Sequence, residues 1–91
     1  MKYFDWDERK NEILRRERGI GFEDVVVAIN EGRLLVTMGH SKRPNQKIYV
    51  INVDNYAYMV PFVEDKDKHF LKTIYPSRIM TKKYIIGKEK M

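Results

Sequence analysis

These 91 residues predict an α+β domain: a short first strand, then two helices packed on one face of a twisted antiparallel sheet of four to five strands. Three features carry that expectation. Apolar residues recur at helical spacing as far as Gly32 and alternate in strand fashion beyond it. Polar turn pairs cut the second half into strand-length pieces. A chain of 91 residues holds one core, so residues 1–91 are expected to form a single domain.

Phe4 and Trp6 alternate with Asp5 and Asp7, which predicts a strand over residues 2–6. Asp7 is placed to cap the first helix, with Glu8 facing the positive end of its dipole. That helix runs to Arg18, where Gly19 supplies a left-handed stop; only Ile13, Leu14 and the preceding Trp6 give it an apolar seam. Gly21 caps the second helix and Gly32 ends it. Between them Phe22, Val25, Val26 and Ile29 fall at i, i+3, i+4 and i+7 and so share one buried face. Strands are expected over residues 34–38, 47–53, 56–63 and 68–75. Asp54-Asn55 is a tight hairpin turn, because both residues tolerate positive φ, and Glu64-Asp65-Lys66-Asp67 is a second, polar turn. The last three strands are then an antiparallel meander. Pro61 lies inside the third of the four, where it cannot donate to a ladder, and this calls for a bulge or an open side. Pro76 ends the last strand, and residues 81–86 form a short closing helix. With both helices on one face, the other face or its rim is left for function.

Composition removes several function classes. No apolar run approaches the ~20 residues that span a bilayer. The amino terminus turns acidic at once and lacks the apolar stretch of a signal peptide. Without cysteine there is no disulfide framework and no thiolate zinc site. A cytoplasmic protein with no membrane contact is expected. The net charge of +5 is unevenly spread: residues 39–47 carry three bases, one histidine and no acid, and residues 71–88 carry five bases and no acid. Such stretches attract polyanions through counterion release, although a solvated lysine-rich surface has the same composition.

The glycines form no phosphate-binding or dinucleotide pattern, and His40 and His69 show no metal-ligand spacing. No cofactor and no metal are therefore expected. What remains is metal-free chemistry on an anionic substrate. RNA is cut this way when its 2′-hydroxyl attacks the adjacent phosphate: one group takes the hydroxyl proton, cations stabilise the phosphorane, and an acid serves the leaving 5′-oxygen. Candidates for those roles are His40, Lys47, Lys72, Tyr75, Arg78, Lys82, Lys83 and Tyr84.

The run Phe4-Asp5-Trp6-Asp7-Glu8-Arg9-Lys10-Asn11, followed by Arg18-Gly19-Ile20-Gly21-Phe22-Glu23-Asp24-Val25, resembles the amino-terminal signature of BrnT-type toxins. Lys72-Thr73-Ile74-Tyr75-Pro76-Ser77-Arg78 and Thr81-Lys82-Lys83-Tyr84 are similar to that family's closing strand and basic-tyrosine tail. The chain departs from the pattern at Glu17-Arg18, where Lys-His is usual, at Pro76-Ser77-Arg78, where Ser-Ala-Arg is usual, and at Ile79-Met80. The resemblance implies a fold related to RelE and ParE toxins and a metal-independent endoribonuclease. It also implies a BrnA-like ribbon-helix-helix antitoxin that neutralises the toxin, operator DNA being bound only through that antitoxin.

On the residues themselves, the expected catalytic set is Arg78, Lys72, His40 and Tyr84. Arg78 follows a proline that fixes the chain, and a guanidinium grips phosphate bidentately. Lys42, Arg43, Lys47, Lys82 and Lys83 are the expected RNA contacts. Lys10 and Asn11 are read as lying on a polar helix face, and His69 as a strand-edge residue after a charged turn. The alternative function is a non-catalytic module that binds nucleic acid or protein, including a gyrase-type inhibitor on the same scaffold.

Overall fold

The computed structural model describes residues 3–39 and 42–87. β1 (Tyr3–Asp5) leads into α1 (Glu8–Arg18). The Asp7 carboxylate caps this helix, accepting from the amides of Arg9 at 2.9 Å and Lys10 at 3.4 Å. Gly19 closes it in the left-handed region at φ +71°, with its N–H donating to the Arg15 carbonyl. α2 (Phe22–Asn30) follows. Its buried line is Phe22, Val25 and Ala28, while Val26 and Ile29 are half-buried. The expected stripe is therefore rotated: the buried arc centres on Val25, and Val26 lies on its flank.

Asn11 ties the two helices together. It is 3% exposed, its Oδ1 accepts from the Phe22 amide at 2.7 Å, and its Nδ2 donates to both Glu23 carboxylate oxygens. Gly21 has no side chain to cap α2, so α1 supplies the cap. A Cβ on Gly21 would lie 2.8 Å from Asn11 Oδ1 and 2.6 Å from Arg15 Nε, so this close approach requires glycine. The expectation that Asn11 lies on a polar outer face is overturned. Its amide satisfies a buried backbone donor instead.

The sheet contains β2 (Leu34–Gly39), β3 (Gln46–Val53), β4 (Tyr56–Asp65), β5 (Lys68–Leu71) and β6 (Tyr75–Pro76). Its order is β1-β5-β4-β3-β2, with β6 also against β4. It is mixed rather than wholly antiparallel, because β1 runs parallel to β5, where Asp5 pairs with Lys68 at 3.2 Å. Asp54 and Asn55 both take positive φ in the β3–β4 hairpin, the turn type that matches strand twist. The second turn is tighter than expected, since Glu64 and Asp65 belong to β4 and Lys66 alone there takes positive φ.

The predicted strand over residues 68–75 is broken, and Pro61 is the cause. Lys72 donates its N–H to the Pro61 carbonyl at 2.8 Å, which shows that Pro61 faces this strand. The reciprocal bond is impossible because proline has no N–H. The pairing lapses there. Between Phe62↔Leu71 and Met59↔Tyr75, three residues (72–74) stand opposite two on β4, a one-residue bulge in the partner strand. Register between β3 and β4 runs unbroken through Pro61.

One sheet face carries Tyr49, Ile51, Val60, Phe62 and Leu71 and packs with Leu14, Ile20, Phe22, Val25 and Ala28 of the helical layer. Trp6 stacks on Phe22 at 5.7 Å and Tyr49 on Phe62 at 4.0 Å. The second face is not left free. α3 (Arg78–Thr81) continues as a π-helical turn, Lys82–Ile86, and seats Ile85 and Met80 against Val50, Ala57 and Met59. Thr81 Oγ1 pins it by accepting from the Ala57 amide at 2.8 Å and donating to the Ser77 carbonyl at 2.7 Å.

Phe22→Ala is expected to cost ~3–5 kcal/mol, a large part of the roughly 5–10 kcal/mol total for such a domain. Urea denaturation measures it, and an unchanged midpoint would contradict the burial of α2. Asn11→Ala orphans the Phe22 amide and should cost ~1–3 kcal/mol by the same measurement, against near zero for Lys10→Ala.

Candidate nucleic-acid interface

Lys72 is placed by the Pro61 break. It follows Leu71, which points into the core, so Lys72 emerges on the second face, where its Nζ stands 5.4 Å from the centroid of the Phe70 ring. It lines a shallow depression of about 180 Å³ whose other walls include Gly39, Gln46, Ile48, Pro61 and Val63. This is the half of the second face beyond the reach of α3.

Arg78 is the first residue of α3 and is exposed. Its neighbour Ser77 is moored on β4 through the Ala57 carbonyl at 2.9 Å, whereas Lys72 is moored at Pro61. Four residues of strand separate those anchors, about 13 Å at ~3.3 Å per residue. Sharing one phosphate would require both long side chains to converge across that span. Lys82 and Lys83 are exposed on the π-helical turn, and Lys83 Nζ stands 5.4 Å from the centroid of the half-buried Tyr84 ring. Ile79, 75% exposed, and Ile86 project from the same segment. Lys42 and Arg43 are exposed in the approach to β3, where the Arg43 carbonyl accepts from the Gln46 amide at 2.9 Å. His40 lies outside the described residues.

Lys47 belongs to the first face. Its Nζ donates to Glu64 Oε1 at 2.9 Å. Beyond Glu64 runs a chain that the residue pattern did not reveal. Glu64 Oε2 meets His69 Nε2 at 3.1 Å, and His69 Nδ1 meets the Tyr49 hydroxyl at 2.6 Å. The Lys47 ammonium hydrogen-bonds Glu64 and holds its carboxyl below the usual range, with His69 adding to the effect against the cost of burial. An ionised carboxylate only accepts, so His69 Nε2 carries the hydrogen and, in the neutral ring, Nδ1 accepts from Tyr49 O–H.

The connectivity is that of a proton relay, but the geometry closes it to substrate. Tyr49 is 3% and His69 5% exposed, and His69 stacks on Phe62 at 4.9 Å with Phe4 edge-on. The strand-edge reading of His69 is thereby corrected: its pairing partner Phe4, on β1, covers it. The chain fixes the β3–β4–β5 register rather than presenting a reactive group. Among the described residues no three of His, Cys, Asp and Glu cluster as a metal site would need.

Burial, with the Glu64 charge adding to it, pushes the Tyr49 phenol up to about 12 from an ordinary value of 10. Because the folded value is the higher, its contribution to stability is complete below pH 10 and is lost as the pH rises through 12. Ultraviolet titration should show a late-ionising phenol that Tyr49→Phe removes. A titration of the folded protein that Tyr49→Phe leaves unchanged above pH 10 would contradict the buried contact.

No family model matches the chain, and neither a curated protein nor a solved structure matches it.

Proposed function

We propose that this protein is the toxin of a type II toxin–antitoxin pair, a cytoplasmic, metal-independent endoribonuclease held in check by a ribbon-helix-helix antitoxin of the BrnA type. The observation that carries the reading is the delivery of the acid-free carboxyl-terminal stretch to one side of the sheet. Lys72 stands at the open half of the second face, and Arg78, Lys82 and Lys83 project outward from the segment that covers the other half. Clustered cations supply the sequence-independent part of RNA affinity and stabilise charge building on phosphorus. The amino-terminal signature residues Asp7, Asn11, Gly19, Gly21 and Glu23 support the same reading in a different way, since Asp7 caps the start of α1 and the other four have defined structural tasks in joining α1 to α2. No helix among the described residues is long and apolar enough to cross a membrane.

In the proposed reaction the 2′-oxygen bonds to phosphorus and the P–O5′ bond breaks, leaving a 2′,3′-cyclic phosphate and a 5′-hydroxyl. Arg78 grips the phosphate with its planar fork, and Lys72, His40 and Tyr84 are the candidates for charge stabilisation and proton transfer, with Lys42, Arg43, Lys82 and Lys83 along the strand. Lys47, turned to the first face and held by Glu64, drops out of the expected RNA contacts. A second reading, a non-catalytic module that binds nucleic acid or a protein such as gyrase, is favoured by the separation of the Lys72 and Arg78 moorings on β4.

Purified protein should cleave RNA in EDTA at the rate seen without chelator. Loss of cleavage in EDTA, restored by magnesium, would sink the mechanism. Arg78→Ala should lower the rate by two to three orders of magnitude, about 3–4 kcal/mol of transition-state stabilisation, with an unchanged melting temperature. Arg78→Lys should recover only part of it. Wild-type toxicity of Arg78→Ala at equal expression would remove Arg78 from the site.

A further inference from the structure

The open half of the second face has a shape and chemistry of its own. Ile48 and Pro61 face each other across the β3–β4 ladder, and Gln46 and Val63 do the same one step further along, forming an apolar floor with one amide at its edge. Val63 pairs with Phe70, so the half-buried Phe70 ring extends this floor on the same face. Lys72 rises beside it with its ammonium over that ring. α3 and the π-helical turn cover Val50, Ala57 and Met59, and among the described residues they leave this end as a depression. At about 180 Å³ the depression falls below the ~300–1,000 Å³ of sites that enclose a whole small molecule, and it suits one planar ring system.

Resting on the reading of this protein as an RNA-directed toxin, we propose that the depression seats one unpaired nucleobase, with Lys72 on the adjoining phosphate, so that the substrate is single-stranded RNA. Duplex RNA keeps its base faces stacked inside the helix and offers this surface only sugars and phosphates, which gain nothing from an apolar floor. A single strand offers both things that the surface complements. Its base covers Pro61, Val63 and Phe70, and its phosphate replaces solvent at Lys72. Gln46, with both a donor and an acceptor on its amide, stands where the edge of the base would be read. An acidic protein segment is the less favoured occupant, because its carboxylates would leave the apolar floor uncovered, whereas a nucleotide matches the floor with its base and the Lys72 ammonium at the rim with its phosphate.

The test uses the full chain and a fluorescent 2′-O-methyl RNA oligomer, which binds but cannot be cut, as a single strand and as a duplex. Anisotropy titrations over a range of salt are expected to show the single strand bound about tenfold tighter or more. Phe70→Leu should weaken the single strand about tenfold and leave the duplex unchanged. Lys72→Met should reduce the slope of log affinity against log salt by about 0.7 for the single strand. Equal affinity for the two forms overturns the proposal. So does single-strand affinity unchanged in Phe70→Leu together with an unchanged salt slope in Lys72→Met. Displacement of the RNA by polyglutamate with no sensitivity to Phe70 would mark the face as a protein-docking surface and also overturn it. Binding as expected by a protein that cleaves no RNA would leave this seat standing and remove only the nuclease reading.

Discussion

Pro61 lacks an N–H, and much of the protein's functional geometry follows from that one missing donor. A strand opposite β4 can pair through Leu71 but cannot complete the next bonded pair at Lys72. The three residues that then span two positions of β4 bury Ile74 completely and return the chain to β4 as β6. This detour fixes where Ser77 arrives, and through the Ala57–Ser77 bond where α3 begins. An ordinary residue at position 61 would let the ladder run on. The carboxyl-terminal segment would then meet the second face in a different register, and Lys72 would become one more ladder residue.

The two faces are stabilised by different means, and this separates folding from function. On the first face polar groups lock α1 to α2 and β3 to β4 and β5: Asn11 against the Phe22 amide, and Glu64 and Tyr49 on either side of His69. Buried networks of this kind specify one register because any slip leaves a donor or acceptor without its partner. The second face relies on apolar contact under Ile85 and Met80, with Thr81 as a peg, and it ends in an open floor.

Helices and turns were legible because their signals are local. Asp7, Gly19 and Asp54-Asn55 each act through their own backbone or the next turn, and each stands where the pattern put it, whereas Gly21 opens α2 as expected but for a tertiary reason, the close approach of Asn11 and Arg15. The sheet was legible only in part. Parallel pairing of β1 with β5 joins residues more than sixty positions apart, and alternation in either strand carries no information about its partner. Pro61 was visible as an obstacle, but whether β4 or the opposite strand absorbs it depends on which neighbour the ring nitrogen faces. Among polar residues the failures share one cause. Asn11 and His69 look like surface residues beside charged neighbours, and only packing reveals that each meets a buried donor or acceptor. The acid-free tail was legible as composition; that it lies across one face was not.

Charge is partitioned in the same way. The carboxylates of Asp5, Glu23, Glu31 and Glu64 are matched by Lys68, Arg15, Arg33 and Lys47, all from the helical layer or strands before residue 72. Exposed pairs of this sort add little stability, so their larger effect is on the field. Acids and bases balance over residues 1–70, so the excess of +5 falls on the carboxyl-terminal segment that carries Lys72, Arg78, Lys82 and Lys83. With screening over about 8 Å at physiological salt, a polyanion close to the surface senses the local patch it approaches, not the sum over the chain. On the proposed reading, a strand drawn to that patch would meet α3 and its π-helical turn, with the apolar floor beside Lys72 on the same face of the sheet.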